Sequence, residues 1–189
     1  MFESAELGHK LSKSEYEEIE PGLRTELLAT QFDLLVQKDF AAVILINGID
    51  GAGRGETVNL LNEWMDPRHI QVYAFDRPTD EERERPALWR FWRALPPRGK
   101  IAVLFGNWYS DPIGDRAIGR TKKAHLDQRL SELNRFEAML AAEGVLLVKF
   151  WFHLSRQGQK KRLKALESNP DTRWRVQPSD WEVYEQYDR

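Results

Sequence analysis

Short, uninterrupted apolar runs alternate along the chain with stretches in which apolar residues recur every three or four positions. That alternation is the sequence sign of a parallel α/β sheet, whose strands are buried on both faces and joined by crossover helices. Leu23, Leu27, Leu28, Leu34 and Leu35 follow Pro21-Gly22 at helical spacing and predict an amphipathic helix over 22–38 packed on the sheet. Ala42 to Ile46 predicts the first strand. A glycine-rich turn and a helix carrying Val58, Leu60, Leu61 and Trp64 come next. Ile70 to Phe75 predicts a second strand, Pro86 to Leu95 a short helix opened by proline, and Ile101 to Phe105 a third strand. Leu126, Leu130, Leu133, Phe136 and Leu140 form one long helical stripe that Gly144 ends, and Val145 to Phe152 predicts the fourth strand.

Beyond that the pattern changes. Gln157 to Leu166 is a basic helical stretch, and Asn169 to Asp180 is rich in Pro, Asp, Arg and Trp without an apolar period, as in a loop or lid. The division expected is a single domain over 1–189, with a core over 22–166 and a lid or loop region over 167–189. No further apolar strand follows Trp181, Tyr184 and Tyr187, and the expectation is a fragment of a longer polypeptide.

Composition narrows the class. A chain of 189 residues with 41% hydrophobic content can bury one core. Net charge is only −2, so the strongly basic footprint of a duplex nucleic-acid binder is missing and any polyanion site must be local. Without cysteine there is no disulfide framework and no thiolate metal site. His9, His69, His125 and His153 have no metal-ligand spacing. The N-terminus is polar and acidic, and nowhere do about eighteen apolar residues run together. The expectation is a soluble, cytoplasmic protein without membrane contact.

Candidate chemistry begins at Gly48-Ile49-Asp50-Gly51-Ala52-Gly53-Arg54-Gly55, directly after the first strand and directly before a helix. Gly48 and Gly53 have the spacing of a Walker A loop, in which backbone N–H groups and a helix N-terminus surround phosphate oxygens. Gly48, Gly51, Gly53, Arg54 and Gly55 are therefore the predicted phosphate-binding set. Arg54 stands where such loops carry lysine, and Gly55 where they carry a hydroxyl that ligands Mg2+. Arginine keeps the charge, but its planar fork need not reach the same oxygens as an ammonium. A tight strand-to-helix turn with no ligand is the plainer alternative, although four glycines in eight residues exceed what turning requires.

From the loop onward, an ordered series resembles the type-2 polyphosphate kinase family. It comprises the loop itself, Asp66-Pro67-Arg68, Pro78-Thr79-Asp80-Glu81-Glu82, Trp89-Arg90-Phe91-Trp92, Leu95 to Lys100, Asn107-Trp108-Tyr109, Phe136-Glu137, Lys149-Phe150 and His153-Leu154-Ser155 with Gln159 and Arg162. The resemblance implies a thymidylate-kinase-like P-loop fold with a helical lid. It also implies phosphoryl transfer between inorganic polyphosphate and AMP or ADP with Mg2+, and assembly as a homo-oligomer. Two departures stand out. Gly53-Arg54-Gly55 replaces Gly-Lys-Gly, and Gly106-Asn107-Trp108-Tyr109, one residue shorter, replaces Asp-Arg-Ser-Trp-Tyr. Asp50 is then the remaining carboxylate for Mg2+, its partner being absent at Gly106. This combination is similar to the degenerate N-terminal half of the tandem members, the polyphosphate:AMP phosphotransferases, in which an intact sister kinase domain follows. Asp50 and Arg54 are the catalytic candidates, in a half expected to be catalytically weak and to keep a structural or polyanion-binding role.

Arg90, Asn107, Lys122, Lys123 and Arg162 are candidate contacts to polyphosphate or nucleotide, although mixed charge near Arg90 and a basic helix start at Lys122 also suit a solvated face. Trp89, Trp92, Trp108 and Trp151 are expected to fill the core. Two other functions remain open: an active phosphotransferase using Arg54 in place of lysine, and an unrelated P-loop kinase using ATP.

Overall fold

A computed structural model describes Gly8 and residues 10–188. Residues 1–7 and His9 of the polar N-terminal stretch lie outside the described residues. The first helix, α1, spans Lys13–Gln37, nine residues more at its start than the periodicity predicts. Ser12 and Glu15 cap each other reciprocally, which satisfies the first free N–H groups and starts the helix well before Pro21. The proline costs one helical hydrogen bond, but the carbonyl it strands belongs to Glu17, which is exposed to solvent. Of the expected apolar stripe only Leu34 is buried, whereas Leu23 and Leu28 face solvent. Gln31 does the docking: its side-chain amide donates to the Asp66 carbonyl (3.0 Å) and accepts from the Asp66 N–H (2.7 Å).

β1 (Ala41–Gly48), β2 (Ile70–Ala74), β3 (Ile101–Phe105) and β4 (Val145–Phe152) pair in parallel in the order β2-β3-β1-β4. Between them lie α2 (Arg54–Trp64), the short α3 (Asp80–Arg83) and α4 (Trp89–Trp92), then α5 (Ser110–Ala117) and α6 (Lys123–Ala142). α7 (Arg156–Ser168), one tight turn at Arg173–Arg175 and α8 (Pro178–Glu185) follow β4. The molecule is a P-loop kinase-like α/β fold, a parallel sheet with helices on both faces.

Alternation along β1 divides the core. Val43 and Leu45, with Ala102 and Leu104 of β3, pack on Phe91, Leu133, Phe136 and Leu140. Ala42, Ile44 and Ile46, with Val103, pack on Leu34, Val58 and Met65 of the opposite layer. Each fully buried aliphatic side chain contributes about 1.5–3 kcal/mol, so β1 and β3 anchor the fold. Of the tryptophans expected inside, Trp108 is buried, but Trp92 (48% exposed) and Trp151 (44% exposed) are not. A four-residue helix and an edge strand cannot cover rings that large.

This topology places the site. From the end of β1 the chain enters α2 on one face, and from the end of β3 it passes through α5 to α6 on the other. The two loops diverge and leave a crevice at the carboxyl ends of the strands, where ligands of open α/β sheets bind.

Candidate functional site

Gly48 ends β1 with φ 130°, and a Cβ there would lie 2.1 Å from the Phe152 carbonyl oxygen, so only glycine lets β1 and β4 run together into the loop. The Ile49 N–H donates to that same carbonyl (3.1 Å). Gly53 caps α2 in a left-handed conformation and supplies no side-chain cap, so the start of the helix, apart from the Glu56 N–H that its own carboxylate takes, keeps its polarity for an external anion.

Around this loop a cleft of about 180 Å³ is walled by Asp50, Gly51, Gly53, Arg54, Gly55, Glu56, Phe105, Arg162, Arg175 and Asp180, among others. Of the predicted phosphate-binding set, only Gly48 lies outside this wall; it lines an adjoining cavity of about 520 Å³ together with Asp50, Arg54, Tyr109, Trp151 and Tyr187. Arg162 of α7 also lines the cleft. The other predicted contacts do not line it. Arg90 has a side chain only 9% exposed, stacked over Phe75 (4.7 Å) and paired with Glu82 (3.4 Å). Lys122 and Lys123 are exposed at the start of α6. Asn107 is buried and shapes the loop after β3, its N–H donating to Ser110 Oγ (3.0 Å) and its Oδ1 accepting from the Tyr109 N–H (3.1 Å).

All three arginines of the cleft are near carboxylates of the same cleft. Arg54 hydrogen-bonds Asp50, four residues earlier in the loop, and lies over the Phe105 ring, 5.5 Å from its centroid. Burial pushes the Asp50 carboxyl up, against the pull of Arg54 and with the help of Asp180. Glu56, in the first turn of α2, accepts from Arg175 (2.6 Å) and lies 3.7 Å from Arg162. Burial opposes its ionisation, but its own backbone N–H, Arg175 and Arg162 outweigh that and hold it below the usual glutamate range.

Behind the β3 loop sits a buried polar knot. Glu137 of α6 accepts from Trp108 Nε1 (3.0 Å) and Tyr109 Oη (2.7 Å) and pairs with Lys149 of β4. Burial raises the Tyr109 hydroxyl, reinforced by Glu137 against Lys149. Burial works against the Lys149 ammonium, but its bonds to Glu137 and Tyr109 prevail and raise it. The knot fixes Trp108 and Tyr109, and so the wall of the larger cavity.

Mg2+, which the family resemblance implies, does not fit these donors. Asp50 is engaged by Arg54, Gly55 offers no hydroxyl, and β3 delivers the Phe105 ring to the wall instead of a carboxylate. Gly106 could not host that carboxylate: its φ is 76°, and a Cβ would lie 2.3 Å from the Phe75 carbonyl oxygen. Among the described residues no group of three or more His, Asp or Glu is arranged to hold a metal. Sequence reasoning singled out neither Glu56, Phe105, Arg175 nor Asp180. An acidic residue in a first helical turn and an aromatic at a strand end are common in any α/β protein, so neither carries a signal of its own.

The family model for polyphosphate kinase 2 matches residues 10–189. The chain is 57% identical over its whole length to the polyphosphate:AMP phosphotransferase of Pseudomonas aeruginosa and 51% to that of Pseudomonas syringae pv. tomato, and spans 38% of the length of each. A crystal structure of polyphosphate kinase 2 from Arthrobacter aurescens superimposes with TM-score 0.88 at 28% identity, covering 96% of this chain and 66% of that one.

Proposed function

Because the chain belongs to the polyphosphate kinase 2 family, we propose that it is the polyphosphate-holding, catalytically weak half of a polyphosphate:AMP phosphotransferase. In this reading an intact sister domain of the same polypeptide converts polyphosphate and AMP to ADP with Mg2+, and this half supports it, within a cytoplasmic homo-oligomer. Residues 22–166 act as its core and residues 167–189 as its lid. The observation that carries the reading is the Arg54–Asp50 pair beside Phe105. The two groups that should act on a phosphoryl group, the loop cation and the loop carboxylate, satisfy each other, and no second carboxylate comes from β3. Phosphoryl transfer rests on positioning and charge neutralisation, and loss of one such electrostatic element slows it by about two to three orders of magnitude. The retained glycine loop, the uncapped α2 N-terminus and the arginines of the cleft support anion binding.

The test is ADP formation by the purified chain from AMP, polyphosphate and Mg2+. Turnover is expected at or below about 0.1 per second, two orders under the typical enzyme value of roughly 10 per second. Turnover near that typical value would show that Arg54 serves in place of lysine.

A further inference from the structure

We propose that the cleft takes polyphosphate as the bare polyanion, with Arg54, Arg162 and Arg175 as its counter-charges, and that Mg2+ competes with the protein for this ligand instead of bridging the two. The inference rests on the polyphosphate-holding reading above and specifies the form in which the ligand is held.

The wall of the cleft carries three guanidinium groups and three carboxylates, Asp50, Glu56 and Asp180. A metal bridges protein and phosphate when carboxylates face the ligand with lone pairs free. In this cleft two of the three are turned to arginine: Asp50 to Arg54, and Glu56 to both Arg175 and Arg162. The third, Asp180, accepts from the Gln177 N–H (2.7 Å) at the start of α8 on the lid side, and its charge is near enough to Asp50 to repel it. The groups that can turn outward are the guanidiniums, whose planar forks bind phosphate oxygens in pairs. An entering polyanion therefore exchanges partners with the carboxylates, taking Arg54 from Asp50 and Arg175 from Glu56. A polyphosphate already carrying Mg2+ has less charge to offer those arginines, and its metal meets carboxylates already engaged by Arg54, by Arg175 and Arg162, and by the Gln177 N–H. Phe105 adds to this, because its ring replaces an ionic wall with an apolar one that supports the Arg54 plane by cation–π contact.

Asp50 has opposite effects in the two cases. As a metal ligand it would assist binding in Mg2+; as the counter-charge of Arg54 it opposes binding in any buffer. The experiment is calorimetric titration of inorganic polyphosphate into the full chain and into Asp50→Asn, which keeps the side-chain size, in EDTA and in excess Mg2+ at matched ionic strength. For the wild type, binding in EDTA is expected to be at least about threefold tighter than in Mg2+. Asp50→Asn should tighten binding in EDTA by roughly twofold to tenfold, since Arg54 is released from its partner. Wild-type binding that is equal or tighter in Mg2+ overturns the inference, as does unchanged or weaker binding by Asp50→Asn in EDTA. Wild-type binding in neither buffer overturns the polyphosphate-holding reading itself, and this inference with it.

Discussion

At the scale of single residues, the candidate site is shaped by the geometry of a few backbone positions as much as by the side chains. A Gly106→Asp exchange looks like the restoration of a missing metal ligand. The structure makes it a strain instead, because position 106 has a left-handed φ and the new Cβ would enter the Phe75 carbonyl oxygen at 2.3 Å. We expect Gly106→Asp, alone or with Asn107→Arg and Arg54→Lys, to lower stability by about 1–3 kcal/mol and to leave phosphotransfer unrestored. Urea denaturation and the ADP assay check the two halves of this; a gain in turnover with no loss of stability would show that the β3 loop can rearrange. Asn107 teaches the same lesson. The resemblance points to it as a ligand contact, yet it is buried and holds its own loop in shape.

At the scale of elements, the device of interest is the strap formed by α7, the turn at Arg173–Arg175 and α8. It is tied to the P-loop helix through Arg175 and Arg162 on Glu56. Glu56 ionises more readily in the folded chain than in the unfolded one, so its contribution is fully present above the ordinary glutamate value of 4.5 and is lost as pH falls through its lower folded value. Hydrogen exchange of residues 173–185, corrected for intrinsic rates, should hold steady from about pH 7 to 5 and accelerate below about pH 4. Glu56→Gln should show the faster exchange already at neutral pH. Equal protection in the variant and the wild type at neutral pH would mean that the apolar contacts of α7 and α8, and not the ion pairs, hold the strap. Composition reads residues 169–180 as loop, and apart from the tight turn at Arg173–Arg175 and the start of α8 they are; the ion pairs that tie this stretch to Glu56 leave no trace in it.

At the scale of the whole molecule, the net charge of −2 gives no general attraction for a polyanion, and any such binding must come from the cleft. Polyphosphate affinity should be weak and should fall as salt rises, since the cleft is open to solvent and screening acts within about 10 Å at 0.1 M ionic strength. Titration at two salt concentrations measures the slope; tight, salt-insensitive binding would contradict a cleft of exposed arginines. The sequence by itself determined the sheet and the place of the loop. Strands buried on both faces must be continuously apolar, as Ala42–Ile46 and Ile101–Phe105 are, and a glycine-rich turn between strand and helix has few physical uses. The start of α1 escaped it because a two-residue cap outweighs one exposed proline, a balance that periodicity does not weigh. What only the tertiary structure decided is which charges meet. Glu56 and Arg175 are 119 positions apart and touch because α7 and α8 fold back over the carboxyl ends of the strands. Phe105 faces Arg54 because β1 and β3 are neighbours while their connections leave to opposite faces. Residue types along a chain supply the stock of cations and carboxylates; whether a cation is offered to a ligand or held by a carboxylate depends on distances of a few ångströms that only packing sets.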